Sequence, residues 1–104
     1  MLAVALASGC GGDSVSDPND PTAATVSMPG FVFTPFTTTI AVGGTVTFDF
    51  PNEDHNVIFV RVPGAPTDIQ PIKNAKVSRT FPVAGSFNYD CTLHPGMSGV
   101  VVAR

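Results

Sequence analysis

The feature that most limits how this chain can fold is its period. Short runs rich in Val, Thr and Phe, several of them alternating apolar and polar, are separated by Gly and Pro: "ATVSM", "TTTIAV", "TVTFDF", "HNVIFV", "KVSRTF", "SFNYDC" and "GVVVA". No window carries the three-to-four apolar spacing over the ten or more residues that an amphipathic helix requires. Between the runs stand Pro29-Gly30, Gly43-Gly44, the "PGAP" from Pro63 to Pro66, and Ala84-Gly85, each a turn signal through a fixed φ or a tolerated positive φ. A chain of 104 residues has room for one core. The expected fold is therefore all-β, a sandwich or small barrel of seven to eight strands. From Arg61 to Lys76 the pattern lapses, and a short helix or loop could stand there in place of a strand.

Period two also assigns faces. In "TVTFDF", Val46, Phe48 and Phe50 share the side expected to face the core, opposite Thr45, Thr47 and Asp49. In "SFNYDC", Phe87, Tyr89 and Cys91 point inward, and Asn88 and Asp90 face solvent. The same count places His55, Val57 and Phe59 on one interior side. Two side chains able to bind a metal thus look toward the core from two strand ends.

Charge narrows the partners. Three of the eight acidic residues, Asp13, Asp17 and Asp20, lie in the first twenty positions; from Pro21 onward five acidic residues face five basic ones. No basic stripe is present to hold a polyanion, so nucleic acid is not an expected partner. At the N-terminus the apolar "MLAVALASGC" ends at Cys10 and is followed by "GGDSVSDPNDPTA", which has almost nothing to bury. "ASGC" resembles the lipobox of bacterial lipoproteins, in which the cysteine is lipidated. The expected organisation is a partial lipoprotein-like signal segment over 1–10, a flexible linker over 11–23 and one domain over 24–104. The product would be exported and periplasmic, meeting a membrane only through a lipid at Cys10. With Cys10 in the tail, Cys91 is the one thiol of the folded domain.

Near the C-terminus, "NYDCTLHPGM" sets Cys91, His94 and Met97 at steps of three. Taken singly, an inward Cys is a small buried hydrophobe, a Met fills a gap and "HPG" is a turn. Together with the inward His55 they supply two imidazoles, one thiolate and one thioether, the His2Cys set with a weak axial Met that suits copper. The chain resembles the cupredoxins, the blue-copper family of plastocyanin, amicyanin and pseudoazurin, from about Thr25 to Arg104. "FVFTPFTTTIAVGGTVTF" is similar to the family's opening strands, "HNVIF" to the segment bearing its first histidine ligand, and "GSFNYDCTLHPGM" to its ligand loop. The spacing is that of the short amicyanin loop, and the approach "FPNEDH" is a little shorter than the family's usual one.

The resemblance implies a Greek-key sandwich or barrel in which His55, Cys91 and His94 hold one copper ion in plane and Met97 is axial. It implies that Asn56 ties the two ligand segments together, its side chain bridging them and its backbone N–H reaching the cysteine sulfur. The implied role is a monomeric one-electron carrier, not an enzyme, cycling between Cu(I) and Cu(II). Its partners would be cytochrome-type or oxidoreductase-type redox proteins docking near His94, where Leu93, Pro95 and Gly96 make a small apolar rim. Glu53 and Asp54 read as a solvated loop that could bias partner choice. The alternative is a periplasmic copper-binding or delivery protein without an electron-transfer role. Catalysis would need further imidazoles, and both histidines are already allotted to one site.

Overall fold

The computed structural model describes residues 17–104, so the expected export segment, the first part of the linker and Cys10 lie outside the described residues. Eight strands follow one another with no helix among the described residues. They are β1 (Ala23–Ser27), β2 (Thr37–Ile40), β3 (Thr45–Phe50), β4 (His55–Phe59), β5 (Ile69–Ile72), β6 (Ala75–Thr80), β7 (Gly85–Asp90) and β8 (Ser98–Ala103). Seven of them grow from the runs quoted above. The eighth, β5, resolves the segment in which the pattern lapses: it is a strand, not a helix. It is four residues long, contains Pro71 and lies at a sheet edge, where a missing N–H does no harm to the ladder.

The strands form two sheets, one in the order β1-β3-β6 and the other β2-β8-β7-β4-β5. β1 runs parallel to β3 and β2 parallel to β8; the remaining pairs are antiparallel. Alternation decides which side of each sheet faces the other. β3 buries Val46, Phe48 and Phe50, β7 buries Phe87 and Tyr89, and β8 buries Gly99, Val101 and Ala103, each with less buried residues between them. Phe48 lies opposite Val26 of β1 and Val77 of β6, at the centre of its sheet.

Aromatic rings fill the space between the sheets. The Tyr89 ring meets Phe33, Phe48 and Phe59 edge-on, with centroids 4.8, 5.3 and 5.7 Å away, the arrangement in which the positive edge of one ring faces the negative face of the next. Its hydroxyl has no hydrogen-bond partner, and burial pushes the phenol well above its ordinary range, so it stays protonated.

Residues before β1 are tied to this body. Arg104 Nε donates to Asp20 Oδ2 at 3.1 Å, Ala41 N–H to the Pro21 carbonyl at 2.8 Å and Thr45 N–H to the Thr22 carbonyl at 3.0 Å. The first of these bonds joins the two chain ends of the described domain, and the other two fasten its start to the β2–β3 turn.

Register places the site. β4 and β7 are antiparallel, with Ile58 opposite Asp90 and Phe59 opposite Tyr89, so the start of β4 lies at the same end of the sheet as the end of β7. β7 and β8 are antiparallel too, with Asp90 opposite Ser98, so the segment 91–97 closes a hairpin at that same end. His55 and the whole Cys91–Met97 segment meet there.

The strand pair β7–β8 has room for only a glycine at one point. Gly99 lies opposite Tyr89, and a Cβ built on it would fall onto the tyrosine ring, with even Cε2 only 2.9 Å away. Gly99→Ala is therefore expected to lower stability by about 1–3 kcal/mol through overpacking, seen as an earlier midpoint in chemical denaturation with an unchanged slope.

Candidate metal centre

Each donor is held by a local device. His55 is the first residue of β4 and is fully buried, so the strand's inward alternation aims its ring into the end of the sandwich. The approach to it is fastened from outside: Asn74, in the turn between β5 and β6, gives its N–H to the Pro51 carbonyl at 2.8 Å and its side-chain amide to Asn52 Oδ1 at 3.0 Å. Asn74 itself has φ of 53°, a left-handed position that asparagine tolerates better than most residues. Beside His55 the β4–β5 register shifts between His55 and Val57, a local irregularity of the kind often found next to sites.

Cys91 follows the last residue of β7 and continues its inward alternation. The seven-residue segment from it folds back on itself. Cys91 N–H donates to the Met97 carbonyl at 2.9 Å and Met97 N–H to the His94 carbonyl at 3.3 Å, with Gly96 at φ 79° making the reversal. Ser98 hydroxyl and the Asp90 carboxylate bond across the base of the turn. Cys91 and Met97 are buried and the His94 side chain is 21% exposed.

The donor atoms converge. Sγ of Cys91 lies 3.5 Å from Nδ1 of His94 and 3.9 Å from Nδ1 of His55, and the ligand atoms of the three residues fall within 4.8 Å of one another. Both imidazoles thus turn Nδ1 toward the sulfur and Nε2 away from it. The rings stand 4.8 Å apart at 61°. Two borderline nitrogens and one soft sulfur, nearly sealed from water, with a buried thioether residue closing the same loop, form a set suited to copper.

Solved structures share this arrangement of strands. A copper-containing nitrite reductase from Thermus scotoductus SA-01 matches 88% of the chain with a TM-score of 0.69 and 25% identity, and this chain spans 28% of that protein's length. A purple cupredoxin from Nitrosopumilus maritimus matches 78% of this chain and 99% of its own, with a TM-score of 0.64 and 25% identity. An amicyanin variant in its reduced Cu(I) form matches 86% of both chains with a TM-score of 0.68 and 31% identity. The chain belongs to the cupredoxin family. Neither family sequence models nor curated protein sequences match it.

In this cupredoxin the structure brings His55, Cys91 and His94 together and buries Met97 within the same loop. Asn56 is buried as well, although alternation alone would turn it outward. Its side chain makes a reciprocal pair with the residue after the cysteine: Nδ2 donates to Thr92 Oγ1 and Oδ1 accepts from Thr92 N–H, both at 2.8 Å. The expected tie between the two ligand segments is thus a side-chain bridge; the Asn56 N–H makes no hydrogen bond to the cysteine sulfur.

Two neighbours of the centre carry no motif. Phe31, in the connection between β1 and β2, lays its ring against His94 with centroids 4.5 Å apart and planes inclined by 32°. Glu53 places Oε1 3.9 Å from His55 Nε2 and Oε2 3.9 Å from His94 Nε2. The rim of His94 is therefore not free of charge, as Leu93, Pro95 and Gly96 alone would suggest: a carboxylate from the approach loop belongs to it.

Burial, followed by the neighbouring His94, holds the His55 imidazole below its ordinary value of 6.5, while Glu53 and Asp54 oppose that shift. The folded group thus protonates at lower pH than the unfolded one. Its contribution to stability is complete above the unfolded value and is lost progressively as pH falls below about 6.5 toward the folded value. The metal-free protein should melt at lower temperature at about pH 5 than at about pH 7.5, and His55→Gln should remove part of that slope. Asn56→Ala leaves the Thr92 N–H and hydroxyl without their partner. It is expected to cost about 1–3 kcal/mol in denaturant titration and to weaken metal binding, whereas Asn56→Ala measured at wild-type stability would contradict the bridge.

Proposed function

We propose that the chain is a copper-binding one-electron carrier, in which His55, Cys91 and His94 would be the strong ligands and Met97 a weaker one. The observation that carries this reading is the convergence of both Nδ1 atoms on the Cys91 sulfur in a buried pocket. When bound, copper supplies a Cu(I)/Cu(II) couple, and a set of two imidazoles, a thiolate and a thioether is tolerable to both ions. The protein's part is to keep that set still. Cys91 must give up its proton to serve as a ligand, so metal uptake releases a proton. The β4–β7 ladder and the Asn56–Thr92 bridge hold the two ligand segments at a fixed separation, so little of the chain needs to move when charge at the centre changes.

Electrons would enter and leave on the side of His94, the ligand whose side chain is partly exposed. Around it Phe31, 57% exposed, and Leu93 offer apolar surface to redox proteins of cytochrome or oxidoreductase type. Such partners dock through small transient interfaces, commonly below about 1,200 Å2 in total. Burial of His55, Cys91 and Met97 favours keeping the ion over handing it on, which sets electron transfer ahead of copper delivery. The two histidines are both taken up by one site and leave no imidazole for a catalytic copper. Export, with lipid anchorage at Cys10, belongs to the same proposal and rests on the apolar segment ending at that cysteine. No helix among the described residues is long and apolar enough to cross a membrane.

Copper(II) added to the reduced metal-free protein is expected to give an intense blue thiolate-to-copper absorption band that Cys91→Ser abolishes. The melting temperature should rise with it, since a ligand at 100 times its dissociation constant adds about 2.7 kcal/mol. A colourless complex, or an unchanged melting temperature, would contradict the reading.

A further inference from the structure

Glu53 reads in the sequence as one of two acids in a solvent loop. Its placement is more specific. Each of its two carboxylate oxygens lies 3.9 Å from the outer nitrogen of a different histidine. Both rings direct Nδ1 at the Cys91 sulfur, and a neutral ring that keeps its Nδ1 lone pair for that side carries its proton on Nε2, facing the carboxylate. His55 Nε2 is buried and has no hydrogen-bond partner, and a buried donor left without one destabilises the fold. The Glu53 side chain is 45% exposed and free to turn, while Asn74 holds the residues on its N-terminal side through the Pro51 carbonyl and the Asn52 side chain. A shift of roughly 1 Å brings an oxygen from this distance into hydrogen-bond range.

We propose that Glu53 is a positioning residue shared by both histidines, accepting from the two Nε2–H groups with one oxygen each. The inference rests on the copper reading above. Its first effect is on geometry: with both protons held on Nε2, both Nδ1 lone pairs are left bare toward the sulfur. A carboxylate accepting from a ligating histidine also makes the ring more basic, and loss of such a partner typically weakens metal binding 10–100-fold. Its second effect is charge, because a negative group beside both ligands favours the more positive ion.

The test compares the full chain with Glu53→Gln, which removes the charge, and Glu53→Ala, which removes the acceptor. Glu53 lies on a loop and is half exposed, so both variants should keep the native melting temperature to within a few degrees. In nitrogen-15 spectra of the metal-free protein, wild type should show both imidazoles protonated at Nε2, and Glu53→Ala should show His94 as a mixture of tautomers. In chelator competition, Cu(II) affinity should fall about 10–100-fold in the variants while Cu(I) affinity falls less. Each tenfold change in that ratio raises the reduction potential by about 59 mV.

Identical tautomers in wild type and Glu53→Ala, or equal losses of Cu(I) and Cu(II) affinity, would overturn the inference and leave the copper site standing. Copper binding of unchanged affinity in Cys91→Ser would instead overturn the reading beneath it, and the inference with it.

Discussion

The antiparallel pairing of β4 with β7 is the constraint on which the centre depends. Ile58 opposite Asp90 and Phe59 opposite Tyr89 fix where His55 stands relative to Cys91, 36 positions away in sequence. Because side chains alternate with a period of two, a slip of one residue in this register would turn His55 out of the core and bring Asn56 and Ile58 inward. Burial of Val57 and Phe59 against the aromatic cluster around Tyr89 prevents that slip. The packing that stabilises the sandwich and the geometry that assembles the donors are therefore one set of contacts. The β7–β8 hairpin then returns His94 and Met97 to the same end at no further topological expense.

Much of this was legible in the residues. β3 and β7 each bury one face and expose much of the other, so period two survives in "TVTFDF" and "SFNYDC", and the inward aim of Cys91 and His55 follows from counting. β5 was not legible, because "IQPI" is short, carries a proline and buries only Ile69, leaving no alternation to read. Asn56 breaks the rule for a different reason. At the mouth of the sandwich the loop after Cys91 folds across β4, so a side chain on the outer face is covered by Thr92.

Phe31 and Glu53 stood beyond the reach of pattern. Phe31 sits 63 positions before His94, in a connection whose sequence says only that it turns, and its stacking on the ring is decided by where β1 and β2 lie in opposite sheets. Glu53 lies two residues before a ligand, close enough to be noticed but not to be placed. The chain just before it is held by Asn74 reaching across from another turn. Local composition carries the fold and the donors here, and tertiary contact carries their surroundings.

The Asn56–Thr92 bridge has a thermodynamic meaning beyond holding two loops. Together with the β4–β7 ladder and the bond from Cys91 N–H to the Met97 carbonyl, it makes the frame of the centre entirely from protein–protein bonds. The backbone entropy lost in bringing these segments together, about 1–2 kcal/mol per residue, is then charged to folding and not to ion capture. A zinc finger, in contrast, uses much of its metal-binding energy to order its chain. Here that energy is left for affinity, and an ion that bound or left would leave the sandwich folded around an intact mould.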